Sequence, residues 1–296
     1  MPTTRRGGVV LAEERHHTTA RRFVTRAVLL VLAVGIVVAG WVGVRGVVRN
    51  FGGPQCQATA LGASTQFDPS QTAYAATIEA VAEKRGLPAR AATIAIATAI
   101  QESKLRNLRF GDLDSVGLFQ QRPSQGWGTA EQILDPVYAT NRFYDALVKV
   151  QGYETMKITE IAQKVQKSAY PDAYANHEQE GRLLASTLSG HSPGGLGCRL
   201  DNAATGNPAG FQAALSRELG VTAHDAGRTL TVHAGSERGA WNVGAYAVAK
   251  ASQFGVTEVR VGAKQWTRTR DSSGWAWQST TRPSGAATTV TVTFAG

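Results

Sequence analysis

The chain has 296 residues, of which 43% are hydrophobic and 18% charged, so it can bury one substantial core and a second, smaller one. Its formal net charge is +9, but eight Arg and two Glu within residues 1–50 supply +6 of that charge. Because this excess lies in a tail beside an apolar run, the composition argues against a basic folded surface for nucleic acid. No nucleic-acid partner is expected.

The first segment, residues 1–26, is rich in Arg, Gly and Thr without an apolar period, which predicts a disordered basic cytoplasmic tail. Residues 27–44 then run without a charge, and 18 residues are just enough to span a bilayer as a helix. Six Arg precede the run and only Arg45 and Arg49 follow closely, so the positive-inside rule places the N-terminus in the cytoplasm. We predict a single-pass anchor in the cell membrane with the rest of the chain outside the cytoplasm.

A cleaved signal peptide is the alternative to this anchor. Arg21-Arg22 loosely resembles a twin-arginine signal, and small residues lie near Ala39 and Gly40. However, the apolar run is longer than a normal signal core, and no clean Ala-x-Ala site follows it. The uncleaved anchor is therefore preferred.

Two cysteines, Cys56 and Cys198, bracket the middle of the chain. Neither belongs to a Cys-x-x-Cys pair, and two thiols alone cannot complete a zinc site, so a redox motif is not expected. Outside the cytoplasm a disulfide is the favoured state of such a pair. Two unrelated free cysteines remain the alternative.

Between the cysteines the sequence predicts a mainly α-helical domain at 67–200, reached through a linker at 45–66. Asp68 followed by proline predicts a capped helix over Pro69–Arg85. The run that follows Pro88 has small or apolar residues on all sides, which is typical of a helix buried by its neighbours. Further helices are predicted from Asp135-Pro136, over Thr159–Lys167 and over Ala173–Leu188.

The chain changes character after the breaker-rich segment 201–208, which predicts a second linker. Residues 209–296 predict a small α+β domain, whose function the sequence does not indicate. Its predicted elements are two helices, around Phe211–Leu219 and Trp241–Phe254, three strands, Thr229–His233, Thr257–Val261 and Thr288–Phe294, and a turn at Asp271–Gly274.

Glu102 lies in the last turn of the predicted buried helix, ahead of the longest non-helical stretch of the domain. A carboxylate there faces the negative end of the helix dipole and loses hydration, and both effects favour its protonated form. A general acid needs that form at neutral pH. The alternative is a glutamate at the rim, paired with Lys104 or Arg106.

Two short motifs fit this position. Glu102-Ser103, followed by Gly117-Leu118-Phe119-Gln120, resembles the Glu-Ser and Gly-Leu-Met-Gln motifs of the lysozyme-like lytic transglycosylases, over roughly residues 69–190. The resemblance implies a lysozyme-like fold that cleaves the MurNAc-GlcNAc bond of peptidoglycan glycan strands without a cofactor. It makes Glu102 the catalytic acid and base. The substrate contacts implied by it are Ser103, Phe119, Gln120 and Gln121.

The family's third motif, Ala-Tyr-Asn, is absent in that form, and the nearest candidates are Ala169-Tyr170 and Tyr174-Ala175-Asn176. We predict that Tyr170 contacts Glu102, because it precedes Pro171 at a helix boundary where a side chain can project into a cleft. Asp112 and Asp114 are candidates for the second carboxylate that a hydrolase needs. Their alternative role is to cap turns in the loop.

The remaining candidates are aromatic side chains and a partial metal motif. Trp127 and Tyr138 offer apolar faces for sugar rings, although burial is the commoner fate of such residues. His177-Glu178 begins like a zinc-binding His-Glu-x-x-His, but residue 181 is Gly, so no metal site is predicted.

The expected function is a membrane-anchored peptidoglycan lytic transglycosylase. One alternative is a non-catalytic, membrane-tethered peptidoglycan-binding or scaffold protein, which the missing third motif favours. The other is a hydrolytic muramidase, which would use a second carboxylate.

Overall fold

The computed structural model describes Gly40–Trp41, residues 53–166 and residues 171–296. Gly40 and Trp41 are helical and exposed, while Gly53–Gly296 forms one compact unit. No helix among these described residues has the length and apolar character needed to cross a bilayer. The predicted span at 27–44 lies outside them apart from Gly40 and Trp41, as does the tail at 1–26.

The compact unit mixes helices with two antiparallel sheets. Its helices are α1 (Pro69–Lys84), α2 (Ala89–Ser103), α3 (Ala130–Ile133), α4 (Pro136–Leu147), α5 (Ile158–Gln166), α6 (Glu178–Leu188), α7 (Pro208–Leu219), α8 (Glu237–Ala249) and α9 (Ala251–Phe254). Its strands are β1 (Gln55–Ala60), β2 (Ala63–Phe67), β3 (Leu196–Arg199), β4 (His224–Asp225), β5 (Thr229–His233), β6 (Val256–Val261), β7 (Lys264–Thr267), β8 (Gln278–Ser279) and β9 (Thr289–Phe294). Segments of 3-10 helix cover Pro123–Gln125, Pro171–His177 and Ser272–Trp275.

The first sheet has the strand order β2-β1-β3 and carries the disulfide. Cys56 of β1 lies opposite Cys198 of β3, and the two are bonded, so the predicted disulfide is confirmed. The linker predicted at 45–66 is wrong from residue 55 onward, where β1 and β2 form a hairpin. Leu61 and Gly62 adopt positive φ and close its turn. The period of the strand was hard to see in the sequence because its buried side chains are as small as Ala58 and Ala60.

The helical elements agree with the sequence pattern at α1, α2, α4 and α5. The predicted helix at Ala173–Leu188 is correct only from Glu178 onward, because residues 171–177 form a 3-10 helix. That tighter coil buries Tyr174 to 1% exposure, in contact with Ala97 of α2 and Ile158 of α5. It thereby brings a tyrosine against the helix that carries Glu102.

Gly181 sets the close packing of α6 on α2. A Cβ placed at Gly181 would lie 2.7 Å from the carbonyl oxygen of Thr93 and 3.0 Å from Cβ of Ala97. Gly181→Ala is therefore expected to lower the free energy of unfolding by about 1–3 kcal/mol, as overpacking does. Urea denaturation followed by circular dichroism measures this change.

The matched control is another helical glycine, Gly239 in the first turn of α8. A Cβ added at Gly239 would have Ser236 Oγ as its nearest neighbour, at 3.3 Å. Gly239→Ala should be neutral or stabilise the protein by up to about 1 kcal/mol through helix propensity. Equal effects of the two substitutions would contradict the close approach at Gly181.

The second sheet has the order β4-β5-β9-β6-β7-β8, and the three strands predicted from the sequence, β5, β6 and β9, are present in it. Its buried side chains include Val259, Val292 and Trp266, each 0% exposed. The indole nitrogen of Trp266 donates to the carbonyl oxygen of Gly274 at 2.9 Å. The buried apolar side chains of this sheet and those of the helices form one continuous core.

Polar contacts also join the helices to the residues beyond 208. Lys250 Nζ lies 2.7 Å from Thr77 Oγ1 and 3.0 Å from a carboxylate oxygen of Glu218. Arg238 pairs with Glu83 at 2.6 Å. Consequently the breaker-rich segment 201–208 does not separate two independent cores.

Candidate functional site

The candidate site is built on the end of α2. Glu102 lies in its last turn and is half-buried, and Lys104 follows as a left-handed C-cap. Tyr174 Oη donates a hydrogen bond to Glu102 Oε1. Of the two tyrosines considered from the sequence, Tyr174 is therefore the one seen at the glutamate. The predicted Tyr170 lies outside the described residues.

Ser103 connects the end of α2 to the loop that follows it. Its side chain is 5% exposed, and its hydroxyl donates to the carbonyl oxygens of Leu118, at 2.7 Å, and Ala99, at 3.0 Å. The sequence predicted a substrate contact at Ser103, but this hydroxyl is used to attach the loop to α2. Ser103 is thus a positioning residue that fixes the Gly-Leu-Phe-Gln segment relative to Glu102.

That segment forms a tight turn between Val116 and Gln121, whose backbones exchange hydrogen bonds of 3.0 and 3.1 Å. Phe119 is 0% exposed and stacks on Phe143 with ring centroids 4.6 Å apart. Gln121 is 1% exposed and donates to the carbonyl oxygen of Ala139 at 3.2 Å. The predicted substrate contacts at Phe119 and Gln121 are therefore corrected to core positions that anchor the turn.

Gln120 differs from its neighbours because it is partly exposed. Its side-chain nitrogen donates to the carbonyl oxygen of Gly117 at 3.1 Å. Its side-chain oxygen lies over Gly111, where an added Cβ would be 1.8 Å from that oxygen and 2.8 Å from the carbonyl oxygen of Ser115. Ser103, Phe119 and Gln121 are buried, so Gln120 is the one predicted substrate contact among the described residues that is partly exposed.

The loop between Glu102 and Gln120 carries unusual backbone strain. In the described part of the chain five non-glycine residues have positive φ, and four of them lie in or beside this loop: Lys104, Leu105, Leu113 and Gln120. A left-handed non-glycine residue costs about 1–2 kcal/mol. Strain of this kind persists only where the surroundings hold it, and it clusters at functional sites.

Asp114 is occupied by the loop itself. One carboxylate oxygen lies 2.9 Å from Arg122 Nε, and the other accepts from the backbone nitrogen of Ser124 at 2.8 Å. These hydrogen bonds, that to Ser124 first, lower the pKa of Asp114 to about 2. Asp114 therefore has the turn-capping role that was its alternative in the sequence. Asp112 is exposed, and its backbone carbonyl accepts from Ser115.

The other sequence candidates serve mainly to build the surroundings. Trp127 packs partly buried against the core, and Tyr138 Oη donates to the carbonyl oxygen of Trp127 at 3.2 Å. His177 pairs with Glu180 at 2.7 Å. Phe110 and Leu113, whose side chains are 75% and 74% exposed, were not singled out from the sequence. A loop has no regular hydrophobic period, so its sequence does not indicate which apolar side chains face solvent.

No family model matches the chain, and no curated protein matches it. The resemblance to lytic transglycosylases therefore depends on the two motifs and on the geometry around Glu102.

Proposed function

We propose that this protein is a peptidoglycan lytic transglycosylase, with a lysozyme-like helical part that carries Glu102 as its catalytic residue. The contact between Tyr174 Oη and Glu102 Oε1 supports the proposal most strongly. It supplies the tyrosine of the family's third motif from a Tyr-Ala-Asn sequence in place of Ala-Tyr-Asn. The glutamate, the tyrosine and the Gly-Leu-Phe-Gln turn then occur together at one end of α2.

In the proposed reaction, Glu102 first protonates the glycosidic oxygen while the bond from that oxygen to C1 of MurNAc breaks. The C6 hydroxyl of the same sugar then forms a bond to C1 and gives its proton to the Glu102 carboxylate. The product is a 1,6-anhydro sugar, no water is consumed, and the glutamate regains its proton. The Tyr174 hydroxyl orients the carboxyl group and stabilises its charged form between the two steps.

A single-acid mechanism suits the residues around Glu102. A hydrolytic muramidase usually needs a second carboxylate that activates water or attacks the sugar. The carboxylate of Asp114 is held by Arg122 and Ser124, which makes it a poor nucleophile or base because its negative charge is already neutralised. This arrangement favours transglycosylation over hydrolysis.

We also propose that the protein acts outside the cytoplasm, held at the cell membrane by a helix over 27–44 with its N-terminus inside. The disulfide between Cys56 and Cys198 supports this location, because such bonds persist in oxidising compartments. Glycan strands of the cell wall are then the polymer within reach.

Product analysis tests the proposed reaction directly. Purified sacculi are digested with the full chain, and the released muropeptides are analysed by mass spectrometry. Anhydro ends are expected, since the C6 hydroxyl is the attacking group. Reducing ends would show a muramidase, and intact sacculi that retain bound protein would indicate a binding or scaffold role.

Tyr174→Phe is expected to slow release of anhydro-muropeptides while the protein remains folded. A hydrogen bond to a charged group contributes about 1.5–3 kcal/mol, so the rate should fall about ten- to a hundredfold. Tyr170→Phe serves as the matched control and should retain the wild-type rate. The reverse pattern, with Tyr170→Phe slow and Tyr174→Phe unaffected, would contradict the role of Tyr174.

A further inference from the structure

A pocket with a volume of about 440 Å³ lies between the helical part of the chain and the elements that follow residue 208. Its walls come from α1 and the start of α4 on one side, and from α7, α9 and the residue that ends α8 on the other. Pockets of roughly 300–1,000 Å³ that form where two parts of a fold meet are common sites for small molecules. Glu102, Gln120 and Tyr174 are not among the lining residues, so this pocket is separate from the candidate site.

A buried ion pair forms part of the wall of this pocket. Lys250 and Glu218 are 4% and 9% exposed, and Lys250 Nζ lies 3.0 Å from Glu218 Oε2. Thr77 joins them, because its hydroxyl accepts from Lys250 Nζ at 2.7 Å and donates to Glu218 Oε2 at 2.9 Å. All three residues line the pocket, so a ligand inside it can reach both charges.

The stability of the fold does not by itself account for this ion pair. Withdrawing two charges from water costs free energy that their attraction recovers only partly, and apolar side chains of similar volume often serve as well. Burial lowers the pKa of Lys250, and the opposing attraction of Glu218 does not cancel this effect. A further negative group beside Lys250 would therefore favour its charged form.

The hydrogen bonds of the pair leave room for a ligand. An ammonium group has three N–H donors. Within the part of the chain that the structure describes, Lys250 Nζ donates to two side-chain oxygens, Thr77 Oγ1 at 2.7 Å and Glu218 Oε1 at 3.2 Å. A carboxylate has about four acceptor positions, and Glu218 accepts from the same two side chains. A ligand can therefore accept from Lys250 with one group and donate to Glu218 with another.

The charges around the pocket balance each other. Arg217 lines the pocket from an exposed position and pairs with Asp135, while Lys250 pairs with Glu218. A ligand with a net charge would leave one charge uncompensated, whereas a zwitterion complements both members of the buried pair. The side chains that α1 and α4 contribute are mainly apolar: Pro69, Ala73, Tyr74, Pro136 and Val137.

We propose that this pocket binds a free amino acid with an apolar side chain. The carboxylate of the ligand accepts from Lys250, its ammonium group donates to Glu218, and its side chain contacts Tyr74 and Val137. The inference does not depend on the proposed reaction, because it concerns a separate pocket and a ligand that is not consumed.

Titration calorimetry of the full chain with L-leucine tests whether both charges of the ligand are recognised, and L-valine and L-phenylalanine extend the test to other apolar side chains. Two analogues of leucine carry one charge each, since isocaproate lacks the ammonium group and isoamylamine lacks the carboxylate. Leucine is expected to bind at least about tenfold more tightly than either analogue, equivalent to about 1.4 kcal/mol. Equal affinity for either analogue overturns the inference.

The double variant Lys250→Met with Glu218→Gln removes both charges and keeps side chains of similar length. Replacing both members of a buried pair is much less disruptive than removing one of them, and a thermal transition near that of the wild type confirms that the variant is folded. It is expected to bind leucine at least about tenfold more weakly than the wild type does.

A second pair of variants leaves the ion pair unchanged. Ser70 of α1 and Ser216 of α7 are both exposed, but of these two only Ser70 lines the pocket. Ser70→Trp should obstruct the binding of leucine, and Ser216→Trp, the matched control, should bind it as the wild type does. If none of the three amino acids binds to the wild type, or if either the double variant or Ser70→Trp binds leucine normally, the ion pair is purely structural and the inference is wrong.

Discussion

Glu102→Gln is expected to reduce the release of anhydro-muropeptides by at least about a thousandfold, since general acid-base catalysis contributes about 10²–10⁴ and one residue here serves both steps. Glutamine keeps the size of the side chain and can still accept a hydrogen bond from Tyr174, so the fold should be retained. The rate is measured on sacculi by liquid chromatography and mass spectrometry.

Asp112→Asn is the control for this substitution, because Asp112 is an exposed carboxylate in the same loop. The single-acid mechanism predicts that its product and rate are unchanged. An active Glu102→Gln enzyme with a normal thermal transition would remove Glu102 from the chemistry. Loss of activity in Asp112→Asn with reducing ends in the wild type would instead favour a muramidase with two carboxylates.

The helices were predictable from the sequence because their ends are marked. Asp68-Pro69 and Asp135-Pro136 supply a cap and a first-turn proline, and the structure begins α1 and α4 at Pro69 and Pro136. The strands β5, β6 and β9 were predictable from alternation of β-branched residues. The hairpin of β1 and β2 was not, since the buried face of β1 consists of small residues and β2 buries none of its side chains fully.

The candidate site was predictable in part. Glu102 and Gln120 carry a motif signal, but the burial of Phe119 and Gln121 depends on contacts with Phe143 and Ala139 of α4, which no local pattern encodes. Likewise, Tyr174 could not be chosen over Tyr170 from the sequence. The choice depends on the 3-10 helix at Pro171–His177, which rotates Tyr174 towards α2.

The sequence also did not predict that the helices and the second sheet share one core. It involves pairs of residues distant in the chain, such as Glu79 of α1 and Asn242 of α8. Asn242 Nδ2 lies 2.8 Å from Glu79 Oε2 and 2.9 Å from the carbonyl oxygen of Leu188. Breaker residues at 201–208 indicate a turn in the chain, but they carry no information about such contacts.

Glu79 makes the stability of this core dependent on pH. Its side chain is 3% exposed, and burial, reinforced by the negative charge of Glu83, raises the pKa of Glu79 from 4.5 to about 8. The folded protein therefore binds this proton more tightly than the unfolded chain does. The corresponding stability is fully present below pH 4.5 and is lost as the pH rises towards 8.

Glu79→Gln is accordingly expected to stabilise the protein at pH 8 and to have little effect at pH 4.5, because glutamine resembles the protonated acid and still accepts from Asn242. One buried proton changes the free energy of unfolding by at most about 1.4 kcal/mol per pH unit, or about 4–5 kcal/mol across the whole interval. Urea denaturation at pH 5, 6.5 and 8 measures the difference between variant and wild type.

Glu160→Gln on α5, where the side chain is exposed, controls for the loss of one charge and should give a difference that is nearly constant with pH. Parallel stability curves for wild type and Glu79→Gln would show that Glu79 is already ionised in the folded protein, and that burial does not raise its pKa.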